Sequence, residues 1–529
     1  MPASVIIGSG PAAAGVAIGL AADRSQQITV LDIGAELEAD RNGIRATIAS
    51  IPESEWLENS IRTISHQPVS TTSRALPEKR AYGSDFPFRD VGQLEGLRAI
   101  GRTNHSVVSG AYGGYSNVWG AQIMPFTAST FERWPITSGE MEPHYRVALE
   151  EMTLSGDQDD LATLFPLLTI PRPLPRLAER TTTVLNRYEA RRAYVQSLGI
   201  TVGRARLAFR SEDCSHCGLC MTGCPYSLIY SASHTFDCLR ASGRISYRKD
   251  VLAVCLVECD SVPQVEFRDL RSGRIERLSA DRVYVACGAI GTTRLVLGSL
   301  GLFNRKVELG ESVQFVMPTM SRTATRDPQR ERNFTLNQFN LVYDASGDGF
   351  DICQIHFYPY NPVFESSLPR PLGHTAARPL ATALLRRLSV GLGYIPSWAS
   401  PRVSITAYSR SEGNLPDVVI DREPTSGWPK MLRKLIVAML RVAPALDLWP
   451  VLPKTSLSPA AKSYHFGGSF PHGLSRSVLG TDRLGRLDRW RNIYLVDASV
   501  FPNIPATTFT LTVMANAHRI ATESLREPI

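Results

Sequence analysis

No run of about 20 apolar residues is free of charge anywhere in this 529-residue chain, so no transmembrane helix is expected. Nor is there a basic block. The net charge of +7 is spread thinly, with Arg far outnumbering Lys. A surface that tracks phosphates needs clustered positive charge, so nucleic-acid binding is not expected. The opening "MPASVIIGSG" passes from Met1 straight into an apolar strand, leaving no room for the basic and apolar regions of a signal peptide. The chain therefore reads as cytoplasmic, with co-export alongside a partner left open. No internal repeat or low-complexity segment stands out. Cysteine is scarce, at 9 residues, and in a long chain without a secretion signal that argues against a disulfide framework.

What is present fits a folded globular protein: 43% hydrophobic and 20% charged residues. The chain is too long for one hydrophobic core and implies two or more domains. Four of the cysteines crowd into "CSHCGLCMTGCP" (214–225), spaced C-x2-C-x2-C-x3-C-P. That spacing holds iron–sulfur clusters in ferredoxins, whereas zinc sites more often separate two C-x2-C pairs by a longer loop. The expected ligands are Cys214, Cys217, Cys220 and Cys224, within a cysteine-rich loop at 211–236. In two-cluster ferredoxins the fourth cysteine serves the other cluster. This chain has one copy of the motif, so Cys238 is an alternative fourth ligand. Cys255 and Cys287 lie in apolar, strand-like stretches and read as buried thiols.

At the N-terminus, "SVIIGSGPAAAGVAIGLAADRSQQITVLD" reads as strand, tight turn, helix and second strand. Gly8 makes the turn and Gly10 lets the backbone approach a pyrophosphate. Ala13 to Gly15 let helix and strand pack closely. The helix N-terminus offers unpaired N–H groups and a positive dipole end to phosphates. Asp32 ends the second strand, where an acid accepts hydrogen bonds from a ribose. Strand, glycines, helix and acid fall in order, which points to a bound dinucleotide.

"NIYLVDASVFPNIPATTFTLTVMANAHRIA" (492–521) resembles the closing segment of the glucose–methanol–choline (GMC) family of flavin oxidoreductases. "GAYGGYSNVWGAQIMPF" (110–126) is similar to that family's segment along the flavin ring. "ADRVYVACGAIGTTRLVLGSLG" (280–301) resembles its second signature, and "YHFGGSFP" (464–471) the segment with its catalytic His. The resemblance implies an α/β fold: a Rossmann-like FAD-binding domain with an α+β substrate domain built on a mostly antiparallel sheet. The implied FAD contacts are Gly8, Gly10, Ala13, Gly15, Asp32, Gly113, Gly114, Ser116, Asn117, Gly288, Asp497, Ala498 and Thr510. A helix starting near Thr510 would turn its positive end toward a reduced flavin.

Oxidising an alcohol requires removal of the hydroxyl proton as hydride leaves the carbon, and a neutral His suits the first task. His465 matches the family's base. The family's second polar residue, His or Asn, falls here on Thr508, and Asn503 in the same loop is the substitute. Within such a flavoprotein a [4Fe–4S] or [3Fe–4S] cluster would carry electrons to an acceptor protein or small partner subunit. The implied activity is FAD-dependent oxidation of an alcohol or sugar CH–OH group, as a dehydrogenase. The alternatives are an electron-transfer flavoprotein without an alcohol substrate and an oxygen-using oxidase with a vestigial cysteine loop.

The FAD domain is expected from 1–37, 100–130, 195–310 and 460–529, and the substrate domain from 38–99, 131–194 and 311–459. β-Branched and aromatic residues mark strands in "QFVMPTMSRTAT", "FTLNQFNLVYD" and "FDICQIHFYPY". The stretch 368–400 reads as amphipathic, with Leu380, Leu384, Leu385 and Leu388 opposite Arg386 and Arg387. It suits a packed surface helix, or a lid or peripheral membrane contact.

Overall fold

The opening strand, β1 (Ala3–Ile7), is buried from Ser4 to Ile7, as a strand covered on both faces must be. The computed structural model describes residues 2–66, 79–89, 97–99 (backbone), 107–361, 378–410, 413–424, 427–458, 462–473 and 479–528. After β1 the elements that build the site are α1 (Pro11–Ala21), β2 (Gln27–Leu31), α2 (Glu179–Ser197), β3 (Ile200–Arg204), β4 (Ser246–Arg248), β5 (Arg282–Val285) and α3 (Ala289–Ser299). They continue with β6 (Val313–Met320), β7 (Phe339–Asp344), β8 (Ile352–Tyr358), β9 (Leu388–Ile395), α4 (Lys430–Leu446), β10 (Ile493–Leu495) and α5 (Thr510–Ser524).

Two sheets carry the site. The first is parallel, in the order β10-β5-β1-β2-β4. Ile6 stands between Tyr284 and Val30. Helix α1, almost wholly small and apolar, is buried along most of its length and lies against α5. Gly15 explains how closely. A Cβ there would sit 2.2 Å from the Met514 carbonyl oxygen, and one at Gly19 would sit 3.1 Å from Ala521 Cβ. The close approach expected between helix and strand is therefore an approach of two helices.

The second sheet has seven strands. β6, β9, β8, β7 and β3 run in that order, with Trp449–Pro450 and Ser456–Leu457 on β6, and every pairing is antiparallel. β3 lies in the segment 195–310 that the sequence assigns to the cofactor domain, yet it is hydrogen-bonded to β7. Strand alternation divides the two faces of this sheet. Phe315, Met317, Leu341, Ile355 and Phe357 form an apolar layer with the buried side of α4 (Leu432, Leu435, Met439, Val442) and with α2. Each such side chain contributes roughly 1.5–3 kcal/mol when fully buried. A Cβ at Gly393 would lie 2.0 Å from the Phe315 ring, so that position must be glycine for the layer to close.

The amphipathic stretch divides differently from the sequence expectation. Residues 362–377 lie outside the described part, a helix spans Arg378–Leu385, and Leu388 opens β9. Leu385 is buried and Leu380 exposed, so the four leucines do not share one helical face. Among the described residues no helix is long and apolar enough to cross a membrane.

Candidate active site

A cavity of about 290 Å³ runs from the first glycine turn to the start of α5. Of the residues singled out in the sequence, Gly8, Gly10, Asp32, Gly114, Ser116, Gly288, His465, Asp497, Ala498 and Thr510 form its wall. Ala13, Gly15, Gly113, Asn117, Asn503 and Thr508 do not. Trp119, Cys287, Arg294, Tyr464 and Phe509 also line it. Aromatic and buried cationic positions of this kind had no spacing in the sequence to mark them.

The turn before α1 is open to this space. A Cβ added at Gly10 or Gly288 would meet no protein atom within 4 Å, so both backbones face the cavity bare. Gly8 has φ +105, and a Cβ would meet the Ala286 carbonyl oxygen at 2.6 Å. Ser9 ties the turn to its surroundings: its hydroxyl donates to Asp32 and accepts from the Gly113 N–H at 3.0 Å. Asp32 also accepts from the Tyr247 hydroxyl at 2.8 Å. Burial pushes the Asp32 carboxyl up to about 6, against those hydrogen bonds.

The segment after Gly113 is held by its own side chains. Ser116 donates to the Gly113 carbonyl at 2.5 Å and accepts from the Ala232 N–H at 2.9 Å. Asn117 donates to the carbonyls of Tyr112 and Gly114 at 2.9 and 2.8 Å. Asn117 and Gly113 thus shape the loop that presents Gly114, Ser116 and Trp119 to the cavity. Asp497 is buried, with one oxygen accepting from Thr292 and the other from the Ser499 N–H at 2.9 Å. Burial is the main influence on its carboxyl and raises its pKa. Helix α5 starts at the cavity wall with no side-chain cap, leaving its first-turn N–H groups and dipole directed there.

His465 precedes the short strand Phe466–Gly467, which pairs with Lys306–Glu311. Its ring stacks on Tyr394 at 4.5 Å and 19° and meets Phe509 edge-on at 4.8 Å. Its Nδ1 is buried without a hydrogen-bond partner among the described residues. Burial pushes the imidazole down to about 3, so it is neutral at physiological pH. The other two candidates are otherwise engaged. Thr508 donates its hydroxyl proton to the Gln122 carbonyl at 2.9 Å. Asn503 accepts from the Trp134 indole at 2.9 Å and donates to the Thr130 carbonyl at 3.3 Å.

The polar face of the antiparallel sheet is what the sequence reading missed. On β8, Gln354, His356 and Tyr358 share the face opposite Ile355 and Phe357. Their cross-strand neighbours include Asn340 opposite His356 and Tyr394 opposite Gln354. Tyr394 links this face to His465. Gln122 Nε2, Asn337 Oδ1, Gln354 Oε1, His356 Nε2 and Thr507 Oγ1 are buried without hydrogen-bond partners among the described residues. An unsatisfied buried polar atom costs about 1–3 kcal/mol, and these five side chains lie off the wall of the cavity that His465 lines. The signal was available in the alternation of "ICQIHFY".

This fold has a solved counterpart. The chain is similar in structure to a pyridoxine 4-oxidase from Mesorbium loti, with TM-score 0.61, 15% identity, and 100% of both chains covered. No family model and no curated protein matches the sequence. At this identity the likeness establishes the fold: α/β, with a parallel sheet beside a larger antiparallel one.

The cysteines do not form the expected ligand set. Cys214 and Cys217 are partly exposed, Cys220 and Cys224 are buried, and all four are free, as is Cys238, which is exposed. Among the described residues no group of three or more His, Cys, Asp or Glu is arranged to hold a metal ion. Burial pushes the thiols of Cys214 and Cys217 up to about 11 and that of Cys224 up to about 12. A bound metal would itself deprotonate such thiols, so what bears on the expected iron–sulfur cluster is the arrangement. The described residues form no metal-binding group and do not support a cluster.

Proposed function

We propose that the protein is an FAD-dependent oxidoreductase acting on a CH–OH group, with His465 as the base. The observation that carries this reading is the position of His465: a neutral imidazole on the wall of a cavity whose other end is a bare glycine turn with a buried acid beyond it. The fold shared with a pyridoxine 4-oxidase supports it. Gly8, Gly10 and the N-terminus of α1 would hold the pyrophosphate, Asp32 a ribose, Gly114 and Ser116 the flavin ring, and Asp497 the ribityl chain.

Bound flavin supplies the hydride acceptor. The protein's own part is to orient the alcohol and to take its proton. His465 is held by Tyr394 and Phe509, so its ring keeps one orientation without a hydrogen bond on Nδ1. A hydroxyl placed against it passes its proton to the imidazole as the C–H hydrogen leaves with its electron pair and the carbonyl forms. The α5 N-terminus favours negative charge at the cavity end it faces. No step passes through the cysteine loop.

The test is anaerobic flavin bleaching of the purified holoprotein by benzyl alcohol, glycerol, D-glucose and pyridoxine. His465→Ala should slow bleaching by about 100- to 10,000-fold while dithionite reduction is unchanged. Equal bleaching by the variant overturns the assignment. The rate of reoxidation in air then separates an oxidase from a dehydrogenase that uses a protein acceptor.

A further inference from the structure

The polar face of the antiparallel sheet brings a second imidazole to His465. His356 lies on β8 and is 2% exposed. The Tyr394 ring is within 5.4 Å of the His356 ring and 4.5 Å of the His465 ring, so one aromatic side chain touches both. His356 Nε2 has no hydrogen-bond partner among the described residues, and neither has His465 Nδ1. A buried imidazole and a half-buried one, each with an unused buried nitrogen and both against one aromatic ring, form an unusual pair. Burial, and then the repulsion His465 would exert on a second charge, keep His356 neutral.

The loop that ends at α5 leaves the need unmet. Thr508 has committed its proton to the Gln122 carbonyl, and both ends of Asn503 hold neighbouring structure. A substrate oxygen whose proton passes to His465 still requires a donor to fix its orientation.

We infer that His356 is a catalytic residue that donates a hydrogen bond from Nε2 to the reacting hydroxyl, so that Thr508 is not called on for this. The inference rests on the CH–OH oxidoreductase reading. The O–H proton passes to His465, the C–H hydrogen leaves as hydride to the bound flavin, and the C=O bond forms. His356 keeps its own proton throughout, and its hydrogen bond passes from the hydroxyl oxygen to the carbonyl oxygen. Gln354, one pair along the same face, offers its amide oxygen to the rest of the molecule.

Two measurements test this. In the holoprotein with ¹⁵N-labelled imidazoles, the His356 signals are those lost in His356→Gln, and they should report a neutral ring with the proton on Nε2 at pH 7. An Nδ1–H ring or a cationic one overturns the inference whether or not any alcohol reacts. In the bleaching assay, His356→Phe should lose about 100-fold, whereas His356→Gln, which keeps an N–H donor, should stay within about tenfold of wild type. His465→Gln should show no such rescue. If the wild type is bleached by one of the four alcohols and His356→Phe is unaffected, this inference alone fails. A holoprotein bleached by none of the four overturns the oxidoreductase reading and this inference with it.

Discussion

The Tyr394 ring lies 4.5 Å from that of His465 at an interplanar angle of 19°. The contact joins a strand of the antiparallel sheet to the loop that carries the base, and Gln314 Nε2 steadies Tyr394 by donating to its hydroxyl at 3.0 Å. Ring contacts, with no hydrogen bond on Nδ1 among the described residues, hold the His465 imidazole. Tyr394→Phe should leave the bleaching rate within about threefold, because the ring contact persists. Tyr394→Ala frees the imidazole and should cost about 100-fold, since small misplacements of a reacting group have effects of that size. FAD content, measured alongside, should not change in either variant.

Gly10 and Gly15 should separate cofactor binding from folding. Gly10 has φ −75 and open space around it, so Gly10→Ala should fold as wild type and lose FAD affinity, read by flavin release on dilution. Gly15→Ala places a Cβ at 2.2 Å from the Met514 carbonyl. Forcing α1 from α5 in this way should cost about 1–3 kcal/mol and lower the melting temperature of both apo- and holoprotein.

His356 and His472 are both 2% exposed, and burial depresses both imidazoles to about 3. The unfolded chain binds their protons from about pH 6.5 downward, whereas the folded chain does not until near pH 3. Stability from these groups is therefore complete above pH 6.5 and lost as pH falls. The loss is about 2 kcal/mol for each at pH 5. Asp32, raised to about 6, acts oppositely, stabilising at low pH and losing that contribution as pH rises through 6. These two histidines, with His465 shifted the same way, against one acid predict a lower denaturant midpoint at pH 5 than at pH 7. A midpoint equal at the two values would show that these rings are hydrated.

Iron and acid-labile sulfide should fall well below one cluster per chain in anaerobically purified protein. The unfolded, unreduced protein should titrate nine thiols, since all nine cysteines are free. About four irons per chain with a reduced-state EPR signal would show that the 214–224 thiols rearrange to bind a cluster.

The side chains of the polar sheet face near His465, namely Asn340, Gln354, His356, Tyr358 and Tyr394, are uncharged or held neutral. A neutral alcohol should therefore be preferred over its anionic counterpart. Bleaching by glycerol should half-saturate at no less than about tenfold lower concentration than bleaching by glycerate, because an unpaired buried charge is costly. The reverse order would show that Arg294 on the cavity wall, and not the sheet face, receives the polar end of the substrate.

Residues 3–32 determined by themselves the strand, the glycine turn, the helix and the closing acid, because each depends on neighbours only a few positions away. The strands of the antiparallel sheet were legible for the same reason: β-branched and aromatic content and alternation are local. Tertiary structure alone decided the partners. Gly15 could be read as a close contact, but that α5 makes the contact depends on Met514, at the far end of the chain. Thr508 and Asn503 carry suitable chemistry, and only the fold spends it on Gln122, Trp134 and Thr130. His356 looked like one more residue of a strand, because nothing near it in sequence says that β9 will set Tyr394 against both it and His465. The cysteine spacing marked out ligands, yet whether they gather into a metal-binding group depends on how the chain packs around them.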